Sequence, residues 1–560
     1  MKVEVLVLAF FYSISAVSTW VDYNTYVRNF NGYGAISSKV YRRNFSIAEH
    51  YTVLHLSERI LVLGGRNHIY SLRVSDLTEY MPRRIHWNSS ESDFHLCVLK
   101  GKSVDDCQNY IRILGKNSNN ETIICGTNSY KPLCRYYDET MVLKQESSGI
   151  GMCSYDPTQN NTWLFEDGEL YTATTSDFAG RMSIIYRKPQ RTEFFNLEQL
   201  NAANFVASLA FNGYVFFFYR EVAVEHINCG KTIYSRVARV CKNDHGGPHR
   251  YSDKWTSFLK TRLNCSVPGE FPFYFDELQT MSDIVTIQFG FIKTLHIVYG
   301  VFTTPTNAIG GSAICMFNMD QIQSSFTGSY KYRQNIDSNW LPMTKNQTGE
   351  CVRNSSMLSE NDVVFALTHT LMDQAVSSRP IFIKVTQDYR FSTIAIEPQV
   401  VTTIDDKYDI LCIGTDDGRV FKVLTAVEDE KRPIVVTENV ILSNRAPVKE
   451  LKFVPNKPGH IIVVGRDEVH MVNMKQCGRM YTCGECISLQ DPHCAWNYYS
   501  SRCETFNYTT KSSFIQDVRN GDDKICNILV RNARLSAFTS NSARFGMFNL
   551  WLALVFSTFI

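Results

Sequence analysis

Six cysteines close to the C-terminal end form the pattern with the clearest chemical meaning. Cys483 and Cys486 have the spacing of half a zinc site, but zinc needs a second ligand pair at similar spacing, and the next steps are eight and nine residues long. Clustered cysteines are typical of a small disulfide-linked module outside the cell. The pattern therefore predicts disulfides and no metal site. The six are Cys477, Cys483, Cys486, Cys494, Cys503 and Cys526.

Two pairs of adjacent carboxylates, Glu166-Asp167 and Asp416-Asp417, have the residue types that glycoside hydrolysis uses. Adjacent residues on a strand point to opposite faces, so neither pair is arranged to act on one substrate. Both pairs precede a glycine between apolar segments, where Asp and Gly are common turn residues. We therefore interpret both pairs as turn residues.

His245 and His249 have the i, i+4 spacing that brings two metal ligands together on a helix. The segment between them, Gly246-Gly247-Pro248, is incompatible with a helix. The sequence thus predicts no catalytic residues, no metal ligands and no cofactor. We expect the protein not to be an enzyme.

The N-terminus and the sequons indicate an extracellular protein. Lys2 precedes an apolar run from Val5 to Phe11, and Ala16-Val17-Ser18 offers the small residues that signal peptidase reads, so we expect residues 1–18 to be a signal peptide. The whole chain has a net charge of +2 and no long basic block, which argues against nucleic acid as a partner. Eight glycosylation sequons follow, at Asn44, Asn88, Asn120, Asn160, Asn264, Asn346, Asn354 and Asn507.

Short apolar segments joined by tight turns predict an all-β fold. The turn centres are separated by about 50 residues or near multiples of it, which is the period of four-stranded propeller blades. We expect seven or eight blades, with an insertion in the irregular 245–350 region; two stacked β-sandwiches are the alternative. The hairpin turns lie near residues 66, 167, 213, 417 and 467.

Longer motifs resemble the semaphorin family. The segment from Tyr234 to Gly269 reads YSRVARVCKNDHGGPHRYSDKWTSFLKTRLNCSVPG, which is similar to a characteristic part of the sema domain. Further similar segments include DDCQNYIR, CGTNSYKPLC, DGELYTAT, YGVFTT and YDILCIGTDDGRVFKV, so nearly the whole mature chain is covered. CGRMYTCGECISLQDPHCAW, from Cys477 to Trp496, resembles the plexin-semaphorin-integrin module that follows a sema domain.

The resemblance implies a seven-bladed β-propeller with an insertion, followed by a small disulfide-rich knot. No immunoglobulin-like segment follows the knot in this sequence, and in this respect the sequence resembles the short invertebrate class of the family. No flexible linker precedes the knot, so we expect it to sit rigidly against the propeller. The expected divisions are a signal peptide (1–18), the sema propeller (19–475), the knot (476–527), a stalk (528–545) and an apolar tail (546–560).

The resemblance also implies disulfide partners that spacing alone leaves open. Cys153, Cys229 and Cys412 are left over. We expect Cys412 to be a buried inert thiol, whereas Cys229, on an expected loop, is the better candidate for a bond between two chains. The implied pairs are Cys97 with Cys107, Cys125 with Cys134, Cys241 with Cys351, Cys265 with Cys315, Cys477 with Cys494, Cys486 with Cys503, and Cys483 with Cys526.

Semaphorins bind plexin receptors, usually as homodimers, so the resemblance implies a guidance ligand for migrating cells or axons. By motif position, the recognition surface falls near Ala207, Leu367 and Thr386. The family often has Lys where this chain has Leu367, and an apolar residue near Thr386. The alternatives are a truncated plexin-like receptor or decoy ectodomain, and a secreted enzyme.

The C-terminal end suggests attachment to a membrane. Residues 547–560 are largely apolar and uncharged. A helix of these residues, with a rise of about 1.5 Å per residue, would be shorter than the hydrocarbon core of a bilayer. Small residues around Ser540 and Asn541 precede this tail, as in a glycosylphosphatidylinositol anchor signal, although the polar spacer is short. A short membrane span and simple secretion are the alternatives, so we expect the protein on the extracellular face of the membrane or secreted.

Overall fold

The computed structural model describes residues 38–43, 48–289, 293–335, 338–344, 351–425 and 434–526. The expected signal peptide, stalk and tail lie outside these residues, as do Ser540, Asn541 and the sequons at Asn44 and Asn346. Within the described residues, no helix is both long and apolar enough to cross a membrane.

Seven antiparallel sheets form the blades of a propeller, which confirms the predicted fold class and the implied blade number. Strand β1 (Ser38–Tyr41) belongs to the last blade. The first blade contains β2 (Thr52–Leu56), β3 (Ile60–Gly64), β4 (His68–Arg73) and β5 (Ile85–His86). Helix α1 (Glu91–Leu99) follows. The second blade contains β6 (Ile111–Lys116), β7 (Thr122–Gly126), β8 (Leu133–Tyr137) and β9 (Leu143–Ser148).

The next three blades are built in the same way. The third contains β10 (Thr162–Glu166), β11 (Glu169–Thr175), β12 (Ser183–Arg187) and β13 (Gln190–Arg191). The fourth contains β14 (Asn204–Phe211), β15 (Tyr214–Val222), β16 (Ile233–Cys241), β17 (Leu259–Val267) and β18 (Phe273–Phe275). The fifth begins with β19 (Glu277–Met281), β20 (Val285–Phe289), β21 (Lys293–Thr303) and β22 (Gly311–Asn318).

An insertion separates β22 from the last strand of the fifth blade. It contains α2 (Met319–Ser324), β23 (Tyr330–Tyr332), β24 (Leu341–Met343), α3 (Glu360–Thr368) and β25 (Val376–Ser378), and it leads into β26 (Pro380–Val385). The sixth blade contains β27 (Phe391–Val401), β28 (Lys407–Thr415), β29 (Arg419–Thr425) and β30 (Ile434–Val440). The seventh contains β31 (Glu450–Phe453), β32 (His460–Val464) and β33 (Val469–Asn473), with β1 as its outer strand.

The predicted position of the insertion, 245–350, was wrong in part. The insertion starts after β22 and runs to residue 379, whereas β17 and β19–β22 within the predicted region are blade strands. Strand β17 is difficult to recognise because its Lys260 and Thr261 are fully buried, which breaks the usual alternation of apolar and polar residues.

Tight turns account for the predicted hairpins. Asp167 and Gly168, between β10 and β11, have φ values of 52° and 78°, and Asn212 and Gly213, between β14 and β15, have 47° and 82°. Two consecutive positive φ values are what a type I′ turn requires, and this turn matches the twist of the two strands. Asp-Gly and Asn-Gly are the residue pairs that adopt it most easily. The antiparallel pairing of the two strands on either side of each predicted turn confirms all five hairpins.

Burial on both faces explains the apolar middle strands. Phe216, Phe217 and Phe218 are consecutive in β15 and all have no exposed side-chain area. Successive residues of a strand point to opposite faces, so both faces of this blade are covered by neighbouring blades. Burying one such side chain contributes about 1.5–3 kcal/mol. The ring is closed by β1, which pairs with β33 from Ser38 opposite Val472 to Tyr41 opposite Val469.

The knot follows the seventh blade. It contains α4 (Cys483–Ser488) and a small sheet of β34 (Cys494–Asn497), β35 (Arg502–Thr505) and β36 (Phe514–Ile515). Three disulfides cross it, joining Cys477 to Cys494, Cys483 to Cys526 and Cys486 to Cys503. The propeller contains the pairs Cys97–Cys107, Cys125–Cys134, Cys241–Cys351 and Cys265–Cys315. These seven are the pairs that the resemblance implies.

Candidate recognition surface

The structure places Ala207, Leu367 and Thr386 on three different elements. Ala207 is a half-buried residue of β14, the innermost strand of the fourth blade. It follows a bulge in the pairing with β15 and lines the central channel, a cavity of about 420 Å³. Motif position alone did not indicate this depth, because a bulge in a strand leaves no clear mark in the sequence.

Leu367 lies in the last turn of α3, within the insertion. Its side chain is half-buried, and its carbonyl oxygen accepts a hydrogen bond of 3.0 Å from Gln199 Nε2. Ser359 caps the helix by accepting from the Asp362 backbone N–H. Val364, on the same helix, is an apolar residue that is 44% exposed.

Thr386 follows β26 at the outer side of the fifth blade. Its backbone N–H donates to the Gly310 carbonyl at 3.0 Å, and a side chain on Gly310 would collide with the Thr386 carbonyl. This close approach joins two chain segments that each carry an exposed apolar residue, Ile309 at 66% and Val385 at 56%. Thr386 is thus a half-buried anchor beside an exposed apolar pair.

The insertion is held firmly against the fourth blade. Strand β25 pairs in parallel with β17, the Lys260 N–H donates to the Thr370 carbonyl at 2.7 Å, and the Cys241–Cys351 disulfide crosses the same boundary. The His369 ring stacks between Phe365 and Tyr332, with centroid distances of 3.9 and 4.4 Å. α3 therefore has a fixed position relative to the propeller.

A buried cluster of four charges lies beneath this boundary. Lys260 Nζ and Arg236 Nε both contact Glu221 Oε1, at 2.6 and 3.0 Å, and Arg236 also contacts Glu225 at 2.6 Å. Burial lowers the pKa of Lys260, whereas for Glu225 burial alone would raise the pKa and the charge of Arg236 holds it below the usual value. Two cations and two carboxylates compensate each other, which buried charges require.

A second buried ion pair joins the propeller to the knot. Lys422 Nζ of β29 lies 2.7 and 2.6 Å from the two carboxylate oxygens of Asp491, and both side chains are fully buried. His493 Nδ1 lies 3.1 Å from the same ammonium, which can only donate. Nδ1 of His493 therefore accepts from the ammonium, and its Nε2 lies 3.2 Å from Glu397 Oε2 without good hydrogen-bond alignment.

Three cysteines form no disulfide in the structure. Cys153 and Cys412 are buried, and burial raises the pKa of the Cys153 thiol to about 12 and that of Cys412 well above the usual value. Such thiols are inert at neutral pH. Cys229 is exposed at the end of a short 3₁₀ turn, two residues after Ile227, which is 51% exposed.

The residues considered for catalysis have structural roles. Asp167 lies 3.3 Å from Lys242, and Asp417 accepts from Thr415 Oγ1 at 2.6 Å and pairs with Arg419. His245 donates its backbone N–H to Ser355 Oγ, while His249 starts a 3₁₀ turn with a φ of 48°. Within the described part of the chain, no three His, Cys, Asp or Glu side chains are grouped to hold a metal ion.

The six described sequons differ in how exposed their asparagines are. Asn264 differs from the others because it is half-buried in β17, where its Nδ2 donates to Ser377 Oγ at 3.2 Å. The exposed sequon residues are Asn88, Asn120, Asn160, Asn354 and Asn507.

Comparisons with known proteins are consistent with this architecture. Residues 285–455 match the family model of the Sema domain, and residues 476–526 match that of the Plexin repeat. Semaphorin-1A of Tribolium confusum is 47% identical over 509 residues, covering 89% of this chain and 71% of that protein.

Solved structures agree with the sequence comparison. Extracellular domains 1–2 of Drosophila Semaphorin 1b superpose with a TM-score of 0.81 at 38% identity, over 88% of this chain and 99% of that one. A chain of the solved structure of Drosophila Plexin A in complex with Semaphorin 1b gives the same values.

Proposed function

Because the chain belongs to the semaphorin family, we propose that it is an extracellular ligand that binds a plexin-type receptor and guides migrating cells or axons. The observation that supports this most is the likeness, over 88% of the chain, to a structure in which Semaphorin 1b is in complex with Plexin A. The protein acts by recognition, through a rigid propeller surface, and this role needs no catalytic group.

The proposed receptor surface lies around α3 and the outer end of the fifth blade. Val364 supplies an exposed apolar side chain on α3, and the disulfide and strand pairing of the insertion fix its position. Ile309 and Val385 supply two more at the fifth blade, where pairing of β26 with β22 fixes Val385. A surface that is already ordered loses little conformational entropy on binding. Ala207 lies in the central channel, so the proposed contact depends on the neighbourhoods of Leu367 and Thr386.

Binding of the Thr19–Cys526 fragment to plexin ectodomains by surface plasmon resonance tests the proposal. Val364→Asp with Val385→Asp should weaken binding at least tenfold, or about 1.4 kcal/mol, because a carboxylate would be desolvated at the contact. These positions are better probes than Leu367 and Thr386, whose half-buried side chains also support local packing.

The matched control is Val142→Asp with Ile150→Asp, whose parent side chains are similarly exposed, at 56% and 49%. Equal affinities of the two double variants would place the receptor contact elsewhere. Failure of the parent fragment to bind any plexin would contradict the function itself.

We also propose a homodimer, because two-fold pairing is the commonest closed assembly and family members usually pair in this way. The exposed Cys229 beside Ile227 offers a site for a disulfide between two copies. Light scattering should give twice the chain mass, and Cys229→Ser should remove the dimer band from a non-reducing gel. A monomer at micromolar concentration would reject the dimer.

For localisation, we propose that residues 546–560 direct attachment to the outer face of the cell membrane by a lipid anchor. The apolar tail behind the small residues at Ser540 and Asn541 supports this. Phosphatidylinositol-specific phospholipase C should release the protein from cells. Retention on the membrane, with the peptide from Met547 to Ile560 still present in the mature chain, would reject the anchor.

A further inference from the structure

A cavity of about 470 Å³ lies between the first and seventh blades, away from the proposed receptor surface. Its floor is apolar and consists of Ile60, Leu72 and Val74, of which the last two are fully buried. Tyr80 forms a wall with an exposed ring. Cavities of this volume are in the range that binds small molecules.

The rim of this cavity carries four basic side chains and one acidic side chain. The acid, Glu58, already accepts a hydrogen bond from Asn456 Nδ2. Among the described residues, none of the four basic groups has a hydrogen bond or ion pair, and the guanidinium of Arg83 only rests over the Tyr80 ring at 5.6 Å. The four are Arg59, Arg73, Arg83 and Lys457.

Arg84, the residue next to Arg83, does have a carboxylate partner. Arg84 contacts both carboxylate oxygens of Glu79 at 2.5 Å, whereas Arg83, one residue earlier, has no carboxylate partner among the described residues. Four like charges around an apolar floor repel one another, and an anion placed among them would relieve that repulsion. The apolar side chains of the floor offer no such attraction to an anion, but they can pack against an apolar group that the anion carries.

We propose that this cavity binds a small amphipathic anion, with an aryl or alkyl body on the floor and one sulfonate, sulfate or carboxylate at the basic rim. Both parts are required, because the floor attracts only the apolar body and the rim only the charge. The inference concerns a site apart from the receptor surface and is independent of the proposed function.

The test uses 8-anilinonaphthalene-1-sulfonate, an aryl sulfonate that fluoresces when bound at an apolar site. The fragment of residues 19–526 contains every described element, including the closing strand β1, and all seven described disulfides. We expect saturable binding that decanoate and naphthalene-2-sulfonate displace. Sodium sulfate at equal ionic strength and decylamine should not displace the probe, because each lacks one of the two parts.

Arg59→Gln with Arg83→Gln should weaken probe binding about tenfold, since each screened charge contact contributes a factor of about two to five. Arg181→Gln with Arg502→Gln removes two exposed basic groups elsewhere and should leave binding unchanged. Unaltered melting temperatures show that both variants are folded. Lys457→Gln is the substitute if the first variant is unstable, and it should weaken binding two- to fivefold.

The proposal is overturned if probe binding is not saturable, or if removing the rim charges has no more effect than the control substitutions. It is also overturned if sodium sulfate or decylamine competes as well as decanoate, because the site would then recognise only one part of the ligand. Displacement by decanoate but not by naphthalene-2-sulfonate would identify an alkyl acid as the ligand, and the reverse an aryl acid.

Discussion

The insertion and the knot are both additions to the propeller, but they are attached in different ways. The insertion is joined to the fourth blade by the Cys241–Cys351 disulfide and by backbone pairing of β25 with β17. All three disulfides of the knot are internal, and its buried contact with the sixth blade centres on Lys422 and Asp491. Backbone pairing tolerates most side-chain changes, whereas an attachment made by a buried ion pair and apolar packing depends on the side chains themselves.

The difference suits the proposed roles of the two regions. A recognition helix must keep its position while a partner binds, and α3 is fixed by bonds that no side-chain substitution on its exposed face disturbs. The knot offers no such surface in our proposal. It packs Leu489 and Val518 against Tyr408 and Ile410 of β28, and so covers the apolar end of the sixth blade.

The largest effect should come from removing the covalent attachment of the insertion. Its disulfide closes a separation of 110 residues, which the chain-entropy model values at about 4–5 kcal/mol. Cys241→Ala with Cys351→Ala should therefore increase hydrogen exchange across α3 and β25. The Cys97–Cys107 pair, with a separation of 10, is the matched control, with about 3 kcal/mol expected. Equal exchange of α3 in both variants would mean that strand pairing alone holds the insertion.

The next largest effect should come from Lys422→Met. It leaves the buried Asp491 carboxylate without a counter-charge, which typically costs about 3–5 kcal/mol. We expect faster proteolysis of the knot and a lower urea midpoint, with the insertion unchanged. Lys422→Met combined with Asp491→Leu should recover most of the loss, because no unpaired charge remains. If the double variant is as unstable as the single one, packing and not charge controls the junction.

Low pH should reduce the stability that the Lys422–Asp491 ion pair gives to the junction of the knot and the propeller. Burial alone would raise the pKa of Asp491, but the charge of Lys422 holds it below the usual value. The folded pKa thus lies below the unfolded value of about 3.9. The carboxylate therefore stabilises the fold fully above that value, and the contribution is lost as pH falls through the folded pKa. Between pH 6 and pH 3, the parent should lose more stability than Asp491→Asn, as the two urea midpoints would report.

Local patterns predicted much of the fold but little of these attachments. Asp167-Gly168 and Asn212-Gly213 indicate hairpins because their turn conformation depends on nearest neighbours. Lys422 stands between apolar residues of β29, where a lysine usually indicates a solvent-facing position, and only the folded knot buries it. The same holds for Lys260 in β17.

The candidate sites depend even more on the complete fold. The disulfide pairs followed from family resemblance, because spacing leaves many connectivities open. The basic cavity combines residues near 59, 73 and 83 with Lys457, which are brought together only when the ring closes. No local pattern could have indicated it.

The smallest expected effect concerns the N-terminal caps of α3 in the insertion and α4 in the knot. Ser359 caps α3 and Thr482 caps α4, the latter in a capping box with Glu485. Replacing either by Ala removes a hydrogen bond to the helix start, which costs about 1 kcal/mol. Helix α4 also contains Cys483 and Cys486, whose disulfides hold its first turn in place. Thr482→Ala should therefore change hydrogen exchange less than Ser359→Ala does, since α3 has no cysteine of its own. A larger change at α4 would mean that the cap, and not the disulfides, orders the knot helix.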